Sequence, residues 1–224
     1  MNILFDLDGT LTDPGVGITR CLAHALTGLG RDPPHLDALR RFVGPPLHES
    51  LAELLQSGDR TLVDEAVRLY RERFVETGMF ENNVYPGVVP GLETLKQGGH
   101  RIWVVTSKPT LYAERIVRHF GFDRWLEGVH GSGLSGENAD KRRLVGEALA
   151  QERLAARESW MVGDRMHDIR GARANGVRCI GVLWGYGGED ELREAQPDHL
   201  VATMPELCSF LALVNGVNTT GGTS

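Results

Sequence analysis

The stretch Asn2-Ile3-Leu4-Phe5-Asp6-Leu7-Asp8-Gly9-Thr10 is a short apolar run that ends in two carboxylates and a glycine. Successive large apolar residues without polar alternation read as a strand covered on both faces, as in a parallel sheet. If the strand continues, period two puts Asp6 and Asp8 on one side, and Gly9 lets the chain turn. Similar runs recur at Ile102 to Val105, Trp160 to Val162, Ile180 to Leu183 and His199 to Ala202. Between the later runs, apolar residues return at helical spacing: Ala113, Ile116, Val117 and Phe120, then Leu144, Val145, Ala148 and Leu149, and finally Leu207, Cys208 and Leu211. Strand and helix in alternation predict a doubly wound, Rossmann-like α/β fold with a parallel sheet.

One interval breaks the rhythm. Phe5 and Ile102 are separated by 96 residues, whereas a crossover between parallel strands needs only about a dozen. The interval opens with a helical face of Ile18, Cys21, Leu22, Ala25, Leu26 and Leu29, closed by Gly30 and the Pro33-Pro34 breaker. Helical patterns follow at Leu39 to Val43, Leu51 to Leu55 and Leu62 to Phe74, with no strand-like alternation between them. The chain thus divides into an α/β core of residues 1–13 and 86–214 and an inserted all-helical cap of residues 14–85. Tyr85-Pro86-Gly87 is a stiff exit, and two linkers at one sheet edge predict a hinge. Residues 215–224, rich in Gly, Thr and Asn, predict a disordered tail.

The composition excludes several classes. With 24 Lys and Arg against 30 Asp and Glu, the net charge is −6, which leaves no basic footprint for nucleic acid or anionic lipid. No apolar run approaches the roughly 20 residues that span a bilayer, and Met1 to Phe5 lacks the regions of a signal peptide. Cys21, Cys179 and Cys208 are scattered and read as free thiols, so a cytoplasmic location is expected.

The acids carry the chemistry. A calcium loop starting at Asp6 fails on spacing, because its sixth position is Leu11 rather than Gly and its twelfth is Gly17 rather than Glu. A second group, Gly163-Asp164-Arg165-Met166-His167-Asp168, follows the run Trp160 to Val162. Asp168 opens a helix and has an N-cap role open to it, whereas Asp164 beside a glycine at a strand end is harder to explain as structure. Ligands of open α/β sheets bind beyond the carboxyl ends of the strands. Two acidic strand ends meeting there repel one another and call for a cation, and an all-oxygen donor set points to Mg²⁺. Thr106-Ser107-Lys108 ends another run, where hydroxyl and N–H groups can hold a phosphate, and Lys141 can reach the same crevice. Taken singly, the first reads as a helix cap and the second as a solvated lysine; their order along the chain joins them to the acids.

In order and spacing, Asp6 to Asp13 (DLDGTLTD), Val104 to Lys108 (VVTSK), Lys141 and Val162 to Asp168 (VGDRMHD) resemble the four motifs of the haloacid dehalogenase-like hydrolases. The helical insert is similar to the mobile cap of the subfamily that includes phosphoglycolate phosphatases and β-phosphoglucomutases. Thr106-Ser107-Lys108-Pro109 and Gly131-Ser132 with Gly136 look most like the phosphoglycolate phosphatase branch, which usually carries Asn in place of Ser107 and Pro in place of Arg142. The resemblance implies a Mg²⁺-dependent phosphomonoester hydrolase that acts on a small phosphorylated metabolite, phosphoglycolate first, through an aspartyl phosphate. A β-phosphoglucomutase-like phosphomutase and a 5'-nucleotidase or pyrophosphatase are its alternatives, and a receiver-like signalling domain is a remote one.

It also implies roles. Asp6 is the nucleophile and Asp8 the general acid and base. Asp6, the Asp8 carbonyl and Asp164 hold Mg²⁺, and Asp168 orients Lys141 or a metal-bound water. Thr106 and Lys141 take phosphoryl oxygens, with Gly9, Thr10, Ser107 and Lys108 in the substrate-binding set. The loop Arg41 to Leu47, with Arg41, Gly44 and Pro45, is the expected selecting tip. The expected partner is a small phosphate ester, with no nucleic acid or membrane, and the expected state is a monomer or homodimer.

Overall fold

The structure is a computed structural model that describes residues 1–134 and 138–220, with side chains through Gly216. Gly136 and residues 221–224 of the expected tail lie outside the described residues. The strands are β1 Asn2–Phe5, β2 Thr12–Asp13, β3 Asn83–Val84, β4 Arg101–Pro109, β5 Gly128–Ser132, β6 Ser159–Gly163, β7 Arg178–Val182 and β8 His199–Val201. The helices are α1 Gly15–Gly28, α2 Leu36–Leu39, α3 Leu47–Leu55, α4 Arg60–Arg73, α5 Val88–Gln97, α6 Thr110–His119, α7 Lys141–Gln151, α8 Met166–Ala174, α9 Gly188–Ala195 and α10 Met204–Thr220.

Six strands form a parallel sheet in the order β5-β4-β1-β6-β7-β8. Because side chains alternate across a strand, the apolar runs feed two cores. Ile3, Phe5, Ile102, Val104, Trp160 and Val162 join one, and Leu4, Trp103, Val105 and Met161 join the other. Central β1 therefore has no solvent face, and its carboxyl end projects Asp6 into the crevice between β4 and β6. The five runs read from the sequence are β1, β4, β6, β7 and β8. The edge strand β5, Gly-Val-His-Gly-Ser, carries one large apolar residue and so gives no run to read.

The insertion is helical. Between β2 and β3 lie α1 to α4 with a short 3₁₀ turn at Arg40–Phe42 and a widened turn at Phe74–Gly78. The face read from α1 is buried at Ile18, Cys21, Leu22, Ala25 and Leu26 and packs on α4. Its two linkers are stitched together: β2 pairs antiparallel with β3, Asn82 Nδ2 donates to Thr12 Oγ1 at 3.3 Å, and the Tyr85 N–H donates to the Leu11 carbonyl at 3.2 Å. The sequence did not predict this ribbon, because two residues per strand are too few for a periodic signal.

The last helix, α10, spans Met204–Thr220. Leu207 and Leu211 anchor the helix in the core, and a helix already nucleated extends at small cost per residue. Among the described residues, no helix is long and apolar enough to cross a membrane.

Candidate active site

The turn after β1 is tied to one carbonyl. Leu7 O accepts the N–H groups of Thr10, Leu11 and Thr12 at 3.3, 2.9 and 3.0 Å. Gly9 allows this turn with φ of +87°, and a side chain there would collide with the Asp164 carboxylate. Asp6 and Asp8 are both buried at the mouth of this turn.

Lys141 is the first residue of α7, and its buried ammonium lies 2.9 Å from Asp6 Oδ1, 2.6 Å from Asp168 Oδ1 and 2.7 Å from the carbonyl of Val105. Those three oxygens match its three N–H bonds in number. Burial pushes the lysine towards neutrality, but Asp168 and Asp6 outweigh it and hold its pKa above the ordinary value. Asp164 takes hydrogen bonds from the Thr10 hydroxyl at 3.0 Å and the Tyr186 N–H at 2.8 Å. Asp168 Oδ2 accepts the Arg165 N–H at 3.1 Å. Carboxylate oxygens of Asp6, Asp164 and Asp168 come within 4.8 Å of one another.

Three buried carboxylates against one lysine leave excess negative charge in low dielectric. Burial, reinforced by Asp168 and Asp6, lifts the Asp164 pKa to about 8. Burial also raises Asp168, against the pull of Lys141. This compact set of oxygen donors fits a divalent cation, whose charge would reverse those shifts.

Asp8 is not in that carboxylate set. Its Oδ2 lies 2.7 Å from Lys108 Nζ, and burial raises its pKa against the lysine's opposing charge. Lys108 in turn lies over the Phe74 ring of the insertion, 4.7 Å from its centre. Thr106 faces the cleft and accepts the Lys108 N–H at 3.3 Å, which leaves its own O–H to donate. The Ser107 hydroxyl is occupied by the carbonyl of Ala139 at 2.9 Å.

The cleft is a cavity of about 1440 Å³ between core and insertion. Asp6, Asp8, Thr106, Ser107, Lys108 and Lys141 line it from the core, and Gly44 and Pro45 from the insertion. Three residues of the expected binding set lie elsewhere. The Gly9 N–H is held by the Thr12 carbonyl at 2.8 Å, and Thr10 is fully buried with its hydroxyl on Asp164. Arg41 points out to solvent, paired with Glu53 at 2.8 Å and lying over Phe42. Sequence reading assigned no role to Tyr186, which steadies Asp164, or to Arg71, which lines the cleft and donates to the Leu134 carbonyl across the core–insertion boundary. Nothing in their spacing marks either one.

A family model described as haloacid dehalogenase-like hydrolase matches residues 3–182. The chain belongs to the haloacid dehalogenase-like hydrolases. The relatives of this haloacid dehalogenase-like hydrolase include a 5'-nucleotidase of Pseudomonas aeruginosa, 50% identical over 94% of this chain and 95% of its own. A phosphoglycolate phosphatase of Pseudomonas putida is 29% identical over 91% of this chain and 78% of its own. A crystal structure described as a predicted phosphatase from Clostridium acetobutylicum matches with a TM-score of 0.90 and 36% identity, over 94% of this chain and 97% of that one. The protein is a phosphatase of the haloacid dehalogenase-like family.

Proposed function

We propose that this phosphatase is a Mg²⁺-dependent 5'-nucleotide phosphomonoesterase working through an aspartyl phosphate on Asp6. The observation that carries the substrate is the cleft. At about 1440 Å³ it exceeds the ~300–1,000 Å³ usual for small-ligand pockets, far more than a two-carbon acid fills. Phe42, Tyr70, Phe74 and Tyr112 give it apolar and aromatic walls suited to a nucleoside, and Arg60 and Arg71 add positive charge. The name of the Pseudomonas aeruginosa relative supports the same choice. Phosphoglycolate, favoured from the motifs, becomes the second reading, supported by the Pseudomonas putida relative.

Asp6, Asp164 and the Asp8 carbonyl would hold Mg²⁺. When bound, the ion would offset the phosphate's charge and polarise a phosphoryl oxygen. Asp6, steadied by Lys141, attacks phosphorus as the bond to the leaving oxygen breaks. Asp8, whose burial favours its protonated form, gives that oxygen a proton. It then takes a proton from the water that attacks the aspartyl phosphate, releasing phosphate and restoring Asp6. Lys141 and the Thr106 hydroxyl stabilise the transferring group's oxygens.

A phosphate-release assay tests the substrate. We expect kcat/KM for a nucleoside 5'-monophosphate to exceed that for phosphoglycolate at least roughly tenfold, a difference of about 1.4 kcal/mol in transition-state binding. The reverse order returns the choice to phosphoglycolate. Turnover of a sugar phosphate that requires a bisphosphate primer and releases no phosphate identifies a phosphomutase.

The metal site is tested without turnover. The folded chain keeps a proton on Asp164 between pH 3.8 and about 8, where the unfolded chain has lost it. More protons bound in the folded state means that stability without metal falls as pH rises through this window. Asp164→Asn should flatten that slope and melt several degrees higher in EDTA near the top of the window, since about 1 kcal/mol moves Tm by ~2–4 °C at this size. Mg²⁺ should raise the Tm of wild type and leave the variant's nearly unchanged. Thermal melts in EDTA and Mg²⁺ across the window measure both, and equal Mg²⁺ shifts for the two proteins would remove Asp164 from the site.

A further inference from the structure

Arg165 stands inside the second acidic motif, yet its side chain turns away from the carboxylates. Its Nε lies 2.9 Å from Glu191 Oε1, and the same oxygen accepts the Met166 N–H at 2.8 Å. With the guanidinium held this way, Nη1 donates to the carbonyl of Val43 at 2.8 Å, 122 residues away in the helical insertion. Gly44 follows with φ of +105°, and a Cβ there would sit 3.3 Å from Arg165 Cγ. The loop backbone thus rests directly on the arginine stem. A neighbouring contact joins the same two parts of the chain: the Arg40 guanidinium lies over the Tyr186 ring, 5.3 Å from its centre. Arg165 and Tyr186 give their backbone N–H groups to Asp168 and Asp164 respectively. Segment 40–44 of the insertion is therefore seated on two core residues that also hold the buried carboxylates.

We infer that Arg165 is a positioning residue that latches the loop carrying Gly44 and Pro45 over the cleft, so that substrate is engaged only when this loop is seated. The guanidinium suits the task because its fork serves a carboxylate and a carbonyl in two fixed directions at once, whereas an ammonium is a point charge. Glu191 fixes the fork from behind, so little side-chain freedom is lost when the loop arrives. Opening breaks the bond to Val43 while that to Glu191 stays, so the contact favours the seated state alone. A hydrogen bond from a charged donor shifts such an equilibrium by roughly tenfold or more. The reacting atoms on Asp6 lie outside this contact, so its loss acts on substrate engagement before chemistry. The inference rests on the reading of the insertion as the substrate-selecting lid and is independent of which ester is cleaved.

Arg165→Met and Arg165→Lys test it, made in the full chain and assayed with a nucleoside 5'-monophosphate and with p-nitrophenyl phosphate while Mg²⁺ is titrated. Arg165→Met should raise KM for the nucleotide roughly tenfold while kcat falls less than about threefold. The Lys variant should recover only part of that loss. Amide hydrogen exchange over residues 40–47 should quicken, with the Mg²⁺ requirement unmoved. Unchanged KM and unchanged exchange overturn the latch. A Mg²⁺ requirement that rises in step with KM also overturns it, because Arg165 then supports only the acidic loop. If wild type cleaves p-nitrophenyl phosphate but no nucleotide, the substrate reading fails, and exchange over residues 40–47 still decides the latch.

Discussion

Asp6→Asn should lose turnover by about three orders of magnitude or more, the scale seen when a covalent nucleophile is removed. The amide keeps the shape of the carboxylate and an oxygen for Lys141, now 2.9 Å from Oδ1, but it cannot form an acyl phosphate. Folding should survive, because the change takes a negative charge out of a crowded cluster of three acids and leaves Lys141 paired to Asp168 at 2.6 Å. Phosphate release and a thermal melt, read together, make the measurement. An acid-quenched wild-type sample should also carry labelled phosphate that the variant lacks. A variant retaining a tenth of wild-type turnover would return the nucleophile assignment to the remaining acids.

Lys141→Met should damage both stability and activity. The ammonium is the one cation within reach of both Asp6 and Asp168 among the contacts of the described residues, and it is 5% exposed. Its removal leaves two buried carboxylates facing each other without compensation, a change that costs about 3–5 kcal/mol. At roughly 2–4 °C per kcal/mol, Tm should fall on the order of 10 °C in EDTA. Turnover should fall at least about a hundredfold, as when a preorganised charge is taken from a developing oxyanion. Adding Asp168→Asn should recover part of the stability and none of the activity, since the two residues are coupled. Denaturation and kinetics of the single and double variants form the cycle; a single variant within about 1 kcal/mol of wild type would mean that the carboxylates are relieved some other way.

The sequence revealed what repetition and strand ends encode. Ile3 to Phe5 and Trp160 to Val162 fill both sides of a buried sheet, so their apolar runs are uninterrupted, and the acids that follow had to fall at the crevice. Lys141 was legible only through its order relative to those acids, since a lysine opening a helix is ordinarily solvated. Thr10 was assigned to substrate from its place in the first motif, but its hydroxyl belongs to Asp164, a partner 154 residues away. No local pattern carries such a pairing. Arg41 illustrates the opposite limit: the loop was found, but which of its residues face inward depends on the 3₁₀ turn at Arg40–Phe42, which sends Phe42 to the cleft and Arg41 to solvent. Arg165 was in plain view inside VGDRMHD, and only the position of Val43 gives its side chain a purpose.

The two-stranded ribbon of β2 and β3 also bears on how the chain reaches this shape. Strand β1, which leads into Asp6, is synthesised well before its neighbours β4 and β6, which begin at Arg101 and Ser159. A sheet whose first strand waits so long for partners has non-local contacts, which slow folding and leave an apolar edge uncovered meanwhile. Once the helices between Asp13 and Asn83 have packed, the ribbon brings those two residues face to face. The loop still to be closed before β1 meets β4 then shrinks from 96 residues to roughly two dozen, lowering its entropic cost by about 1 kcal/mol. The insertion that covers the finished cleft thus also serves as a clamp that shortens the nascent chain's search for its central strand pair.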